Sequence, residues 1–160
     1  MSVCIGVDIG TVSVKIALVV SAGEPVALYE RGALEGVFSG PPQPLSVPGD
    51  GNGWLLTVPC QPVKGSPLGA AGALLERLVA LIAPMPVRGV RVCGSGSELF
   101  ARACGARREN EFRALGLAVG ALHRQARAVL EIGGQTSKYL QLERDEASGQ
   151  IGVADYECSG

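Results

Sequence analysis

Apolar residues fall along this chain in short continuous runs, which predict strands, and in spaced stripes, which predict helices. The run Val3–Ile9 is almost entirely apolar, as in a central buried strand. Ser13–Val20 and Val26–Leu34 follow it after short turns, and the three runs together predict an antiparallel meander. Residues 37–65 are rich in glycine and proline, which oppose both helices and strand ladders. They predict a long exposed loop insertion with one extended piece at Trp54–Val58.

The remainder of the chain predicts helices and further strands. Apolar stripes with capping residues at their ends mark helices at 66–83, 95–104 and 111–125, the second beginning with a capping box at Ser95–Glu98. Short apolar runs predict strands at Val90–Cys93, Ala128–Ile132, Ser137–Glu143 and Ile151–Ala154. Gly116 and Gly120 lie on one face of the last helix, which indicates close approach of another helix or a strand.

Two stretches that lie 123 residues apart share one arrangement of residue types: Val7–Lys15 and Glu131–Lys138. In each, an acidic residue follows an apolar run, glycine and small hydroxyl residues come next, and a lysine closes the stretch. A carboxylate at a strand end can hold Mg²⁺, chiefly through water, and glycine allows a turn whose N–H groups point at phosphate oxygens. The repeated arrangement predicts two hairpins that face each other across a polyphosphate.

On these residues the chain resembles the actin/sugar-kinase/Hsp70 superfamily and, within it, the BadF/BadG/BcrA/BcrD family. That family comprises the ATP-dependent iron–sulfur activators of 2-hydroxyacyl-CoA dehydratases and the ATPase subunits of benzoyl-CoA reductases. The residues that carry the resemblance are Asp8–Lys15, Cys93–Glu98, Asn110-Glu111, Ile132–Lys138 and Cys158. The Gly-Gly-Gln-x-Ser-Lys string at 133–138 is the narrowest motif, because the first motif alone also fits a sugar kinase.

The resemblance implies an α/β fold of the ribonuclease-H-like, actin-like ATPase class, with a mixed five-stranded sheet and helices on both faces. It implies one N-terminal half-domain over residues 1–160, with the second half of the nucleotide cleft absent from this chain. The expected function is that of an ATP-dependent iron–sulfur activator, which drives low-potential electron transfer to a 2-hydroxyacyl-CoA dehydratase or a benzoyl-CoA-reductase-type enzyme. ATPase activity is expected of the intact parent protein and is weak or absent in this fragment.

The resemblance also assigns roles to residues of both motifs. Asp8 and Glu131 are the expected catalytic carboxylates, and Glu131 would organise Mg²⁺ and the attacking water during ATP hydrolysis. The expected nucleotide-binding residues are Gly10, Thr11, Ser13, Lys15, Gly133, Gly134, Gln135 and Lys138. Cys158 aligns with the first cysteine motif of the family, whose homodimer holds one [4Fe-4S] cluster with two cysteines from each protomer. Such a cluster needs four thiolates, so we do not expect it in this fragment alone.

Two positions depart from the family pattern: Glu131 and Thr136 stand where the family usually has aspartate. The longer glutamate side chain displaces the carboxylate, and a displacement of about 1 Å can lower a rate by about 10²-fold. Threonine removes a charge. Weakened hydrolysis, or nucleotide binding without turnover, therefore stays open. Two other functions stay open as well: a sugar or small-acid kinase of the same superfamily, and a degenerate actin-like domain used for docking or dimerisation.

Composition and charge set limits on partners and location. The formal net charge is −1, which gives no general attraction to nucleic acid or to acidic membranes. The apolar runs are shorter than the roughly 20 residues that span a bilayer, and Met1–Cys4 carries no charged leader region, so we expect a cytoplasmic protein. The odd count of five cysteines argues against a disulfide framework, and the single histidine, His123, gives no support for triad chemistry.

Overall fold

The chain folds as an α/β protein with four helices and a mixed sheet among the described residues, which confirms the predicted fold class. The computed structural model describes residues 1–21, 23–47, 51–146, 149 and 151–159. Contacts within the chain divide it into two compact units, Met1–Arg108 and Glu109–Gly160. Each of the two units has its own sheet, and the single half-domain over residues 1–160 stays a prediction.

The first unit is built on a mixed sheet of seven strands, where the sequence predicts a sheet of five. The strands are β1 (Ser2–Ile9), β2 (Ser13–Ser21), β3 (Gln43–Val47), β4 (Gly51–Thr57), β5 (Gln61–Pro62), β6 (Val87–Cys93) and β7 (Arg107–Arg108). They lie in the order β3-β4-β2-β1-β6-β7, and β5 pairs with β2. Strand β1 is therefore central, antiparallel to β2 and parallel to β6.

Two predictions for the start of the chain are wrong. Val26–Leu34 forms helix α1 rather than a third strand, and it places Leu28 and Gly32, one helical turn apart, in the interior. The third strand of the meander is β4, which lies in the segment predicted as a loop insertion at 37–65 and includes most of the extended piece at Trp54–Val58. Pro44 is tolerated in β3 because this strand lies at the edge of the sheet.

Most of the predicted helix ends agree with the structure to within one or two residues. Helix α2 (Pro67–Ile82) begins where the hydroxyl of Ser66 accepts a hydrogen bond from the Gly69 N–H at 3.1 Å. Helix α3 (Ser97–Cys104) ends at Gly105, whose φ of +70° suits glycine. The predicted capping box is wrong, because Gly96 caps α3 without a side-chain bond. No helix in the described part of the chain is long and apolar enough to cross a bilayer.

The core of the first unit lies on one face of its sheet. Alternate residues of β1, such as Val7 and Ile9, are at most 3% exposed, and the register places Ile16 of β2 and Val92 of β6 on the same side. Helices α1, α2 and α3 all contribute to this single core.

The second unit combines one helix with three antiparallel strands. Helix α4 (Glu111–Leu122) precedes β8 (Ala128–Ile132), β9 (Ser137–Arg144) and β10 (Ile151–Ser159), which lie in the order β10-β9-β8. The small core contains Leu140, Leu142 and Ile151, with side chains of α4 packed against it. The predicted hairpin is confirmed, whereas α4 ends three residues before the predicted Gln125 and β10 runs beyond Ala154.

The two helical glycines of α4 allow the strand β10 to lie close to the helix, as the sequence predicts. A Cβ atom on Gly116 would lie 2.8 Å from Cγ2 of Val153, and one on Gly120 would lie 2.8 Å from Cβ of Ile151. Such distances leave no space for a methyl group. The contact between helix α4 and strand β10 therefore requires glycine at both positions.

We expect Gly120→Ala to destabilise the protein by about 1–3 kcal/mol, because the β-branched Ile151 side chain cannot move without disturbing the core. Urea denaturation followed by far-ultraviolet circular dichroism measures the change. Gly72→Ala in α2 is the matched control, since no atom lies within 4 Å of its added Cβ. That control should gain about 0.5–1 kcal/mol from the better helix former. Equal effects of the two changes would contradict the proposed close contact.

Candidate functional site

The first candidate hairpin joins β1 to β2 and carries an acid–lysine pair at its end. Asp8 and Lys15 are direct partners in the antiparallel register. The Lys15 ammonium donates a hydrogen bond to Oδ2 of Asp8 at 2.8 Å, and the two side chains are 53% and 28% exposed. Solvent, a cation or a ligand can therefore reach both charges.

The turn of this hairpin is closed by a backbone hydrogen bond from the Gly10 N–H to the Ser13 carbonyl at 3.0 Å. A Cβ atom on Gly10 would lie 3.2 Å from that same carbonyl oxygen. Thr11 is exposed at the tip, and Ser13 is half-buried. The structure thus brings together the predicted group Asp8, Gly10, Thr11, Ser13 and Lys15 at one end of the sheet.

The loop between β6 and α3 packs against the end of β1. Gly94 has a φ of +87°, and a Cβ atom there would lie 2.5 Å from Oδ1 of Asp8. The Gly96 N–H donates to the carbonyl of Ile9 at 2.9 Å, which ties the loop to the strand. No site role is predicted for these glycines, although they belong to the Cys93–Glu98 motif. Gly94 leaves space for the Asp8 carboxylate, and Gly96 leaves space for the Ile9 side chain.

The second candidate hairpin, between β8 and β9, repeats the construction of the first. Glu131 and Lys138 are direct partners, at the same separation along the chain as Asp8 and Lys15. The Gly133 N–H donates to the Thr136 carbonyl at 2.9 Å, and a Cβ on this glycine would lie 3.0 Å from that oxygen. The predicted residues Gly133, Gly134 and Gln135 are all exposed at the turn.

The lysine of the second hairpin is buried between two carboxylates. Lys138 is 7% exposed, and its ammonium donates to Oε1 of Glu111 at 2.6 Å and to Oε2 of Glu131 at 3.0 Å. Glu111 stands in the first turn of α4, just after Asn110, whose side chain caps the helix. Asn110-Glu111 is one of the motifs that carry the family resemblance, and no role is predicted for Glu111. Glu111 and Lys138 are 27 residues apart in sequence, so local sequence patterns do not predict their contact.

Burial and charge act in opposite directions on Lys138. Removal from water favours the neutral amine, but the hydrogen bonds and negative charges of Glu111 and Glu131 outweigh that effect and raise the pKa of Lys138 above its usual 10.5. The ammonium is therefore retained over the whole physiological range. One of its two neighbouring negative charges is left without compensation inside this trio.

The cysteines do not assemble into a cluster site in the described part of the chain. Cys158 lies exposed on β10 as the ladder partner of Lys138. No group of three or more His, Cys, Asp or Glu side chains that could hold a metal ion occurs among the described residues. The thiols of this chain alone therefore do not fit the four-thiolate demand of a [4Fe-4S] cluster. His123 is exposed at the end of α4.

Comparison with solved structures identifies proteins of the same fold. The activator of 2-hydroxyisocaproyl-CoA dehydratase from Clostridium difficile, solved with bound ADPNP, matches 98% of this chain at 17% identity with a TM-score of 0.59. Component A of (R)-2-hydroxyglutaryl-CoA dehydratase from Acidaminococcus fermentans matches 99% of it at 15% identity with a TM-score of 0.56. The chain spans less than half of each of these structures, 45% and 48%. These two neighbours have the actin-like ATPase fold.

Searches against models of known protein families and against curated sequences give no match. At the identities of the structural matches, the shared property is the fold.

We expect stability to fall as the pH rises above 10.5, because the folded chain holds the Lys138 proton more tightly than the unfolded chain does. The raised pKa stabilises the fold fully below the unfolded value, and this contribution is lost as the pH passes the folded value. Lys138→Met should remove that part of the pH dependence. At neutral pH it should cost about 1–2 kcal/mol, because two carboxylates lose their shared cation.

Urea denaturation between pH 7 and pH 11.5 measures both effects, with the difference between variants cancelling the titration of other groups. Lys15→Met is the matched control. Its exposed pair with Asp8 should contribute less than about 1 kcal/mol at neutral pH. A Lys138→Met variant as stable as Lys15→Met would show that the buried trio does not stabilise the second unit.

Proposed function

We propose that this chain is the N-terminal portion of a longer actin-like ATPase of the activator type, and that both hairpins bind the phosphates of ATP. The observation that carries the proposal is the repeated hairpin. In each, an acidic residue faces a lysine across the ladder, and a glycine N–H closes the turn on the carbonyl three residues later. The structural neighbours support it, since one of them was solved with an ATP analogue.

In the first hairpin the exposed turn offers groups of the kind that phosphate needs. Thr11 is exposed in the turn that Gly10 closes, and Lys15 lies on the strand that follows this turn. Both glycine turns and ammonium groups bind phosphate oxygens. The Asp8 carboxylate is close enough to Lys15 to hold it at the end of the strand. When phosphate enters, we propose that Lys15 turns from Asp8 toward it.

The carboxylate donors fit Mg²⁺, which prefers oxygen ligands and retains several waters. Asp8 at 28% exposed and Glu131 at 33% exposed are both open enough for water-mediated contact. The ion would neutralise phosphate charge when bound. The residues of this chain would do the rest: Glu131 would orient a water through Oε1, and Lys138, which donates to Oε2, would hold that carboxylate in place.

For the longer protein we propose low-potential electron transfer to an acyl-CoA dehydratase or reductase component, with a homodimer sharing a [4Fe-4S] cluster. The names of the structural neighbours support this partner class. Cys158 is the residue of this chain proposed as a cluster ligand. The remaining ligands would come from residues outside this sequence and from a second protomer.

A second candidate function is a docking or dimerisation domain without ATP turnover. Lys138 favours it, since its ammonium already has two carboxylate partners and is nearly inaccessible to a phosphate. Thr136, where the family usually has aspartate, also favours it. In that case the first hairpin would bind nucleotide and the second would serve as structure.

We expect the 160-residue chain to bind Mg-ATP with a dissociation constant above about 100 µM, because ligand sites draw affinity from enclosure and this chain holds part of the cleft. In the longer protein, Asp8→Ala should lower ATP turnover by at least about 10²-fold while leaving the unfolding midpoint within a few degrees. Calorimetry and a phosphate-release assay measure the two quantities.

The matched control is Glu76→Ala, which removes an exposed acid from α2 and should leave turnover unchanged. Micromolar affinity in the 160-residue chain would mean that the site is self-contained. Turnover at the parent rate in Asp8→Ala would reject the phosphate-binding role of the first hairpin. A parent that binds nucleotide without turnover would favour the second candidate function.

In the longer protein, reconstituted anaerobically with iron and sulfide, Cys158→Ser should lose the visible absorption and electron-spin signal of the reduced cluster. A serine oxygen is a poor ligand for iron compared with a thiolate. Cys60→Ser, which changes an exposed cysteine in the first unit, should retain both signals. A parent without iron would end the activator proposal, and retention of iron in Cys158→Ser would move the ligand elsewhere.

A further inference from the structure

We propose that one edge of the sheet in the first unit binds an acidic segment of a partner protein, which carries a run of glutamate or aspartate side chains. The surface consists of four arginines of β6, α3 and β7: Arg91, Arg102, Arg107 and Arg108. We name it the arginine edge. The inference goes beyond the proposed function, and it requires neither nucleotide nor an iron–sulfur cluster.

Two of these arginines lie side by side at the end of the sheet. Arg91 of β6 and Arg107 of β7 are direct partners in the parallel ladder, and β7 is the last strand. Ladder partners point to the same face, and neighbouring strands lie about 4.8 Å apart, so both side chains leave the sheet close together. Both are exposed. Like charges on ladder partners destabilise a sheet, so this pair is unfavourable in the chain alone.

The acid nearest to the arginine edge does not neutralise this pair. Glu98 of α3 pairs with Arg102 at 2.5 Å and with Arg108 at 3.8 Å, and all three side chains are more than half exposed. Among the described residues, Arg91 and Arg107 have no ion pair and no side-chain hydrogen bond. In the ion pairs of this part of the chain, four guanidinium groups therefore share one carboxylate.

The sheet beside Arg91 is open to an approaching partner. On its other side, the ladder partner of Arg91 is Gly6, which is exposed. An added Cβ on Gly6 would meet only the Ala17 carbonyl oxygen, at 4.0 Å. The next acid on this face, Asp8, is held by Lys15. A carboxylate from outside the chain can therefore reach the Arg91 guanidinium without displacing a side chain of this strand.

The type and distribution of charge identify the partner. Exposed edge strands are usually protected by lysine, whereas all four residues here are arginine. The planar guanidinium binds a carboxylate through two parallel hydrogen bonds, and arginine is enriched at protein interfaces where lysine is depleted. The whole chain has a net charge of −1, which opposes binding to nucleic acid or anionic membranes. A short acidic protein segment meets the positive edge alone, so charge complementarity favours it.

Fluorescence anisotropy of a labelled oligoglutamate peptide tests the proposal on the 160-residue chain. The dissociation constant should be below about 100 µM at roughly 20 mM salt and should rise at least about tenfold at roughly 200 mM salt. Arg91→Glu should weaken binding at least about tenfold, because it reverses one charge and pairs with Arg107. Arg91→Lys combined with Arg107→Lys should weaken it about threefold or more, since lysine keeps the charge and lacks the planar fork.

The unfolding midpoint gives a second measurement on the same variant. Arg91→Glu should raise it by about 1–4 °C, because an attractive pair replaces a repulsive one across the ladder. The change should therefore stabilise the fold while it weakens binding, which a loss of structure cannot do. A lower midpoint in Arg91→Glu would contradict the repulsion between the two arginines and overturn the proposal.

Arg127→Glu is the matched control, since Arg127 is exposed in the second unit and the substitution changes the net charge equally. It should leave peptide affinity within about twofold. Equal weakening by both substitutions would overturn the proposal, because binding would then follow net charge alone. So would a wild-type chain that does not bind the peptide, or that binds an oligonucleotide of equal charge more tightly. Self-association that Arg91→Glu abolishes would make the occupant a second copy and reject an acidic partner.

Discussion

The pairing of an acid with a lysine across the first ladder of each unit is the constraint on which the rest of the structure depends. Side chains alternate between the two faces of a strand, so a shift of one residue would place every side chain on the wrong side. When Asp8 faces Lys15, Val7 and Ile9 must face the core. A single register therefore sets both the chemistry at the strand end and the apolar packing behind it.

The ion pairs of the two hairpins differ in their exposure to solvent. The first leaves its ion pair in solvent, where such pairs add about 0–1 kcal/mol and exchange partners readily. The second encloses Lys138 between two carboxylates, where loss of one partner is costly. The buried pair also connects helix α4 to the hairpin, because Glu111 belongs to that helix. Similar sequences at 7–15 and 131–138 thus hold lysines of different exposure, because Lys138 has a second carboxylate partner, Glu111, that lies outside both stretches.

Most of the hairpin geometry could be predicted from the sequence, because the acid, glycine and lysine are close together along the chain. Helix α2 and the glycine contact of α4 were also predictable from local signals. The sequence predicts a strand at 26–34, where the structure has a helix, because over nine residues the apolar positions fit both the strand and the helix repeat. Strand β4 could not be predicted because residues 37–65 are rich in glycine and proline. The strand is stabilised by its pairing with β2, which local composition does not show. The role of Glu111 could not be predicted because its partner, Lys138, is distant in sequence.

Gly94 makes the surroundings of the first acid depend on a residue that carries no side chain. A Cβ atom on Gly94 would lie only 2.5 Å from Oδ1 of Asp8, so a larger residue at position 94 would displace that carboxylate. Because Asp8 faces Lys15 across the ladder, the displacement would also disturb the ion pair. The loop after β6 therefore controls the charges of a hairpin to which it does not belong.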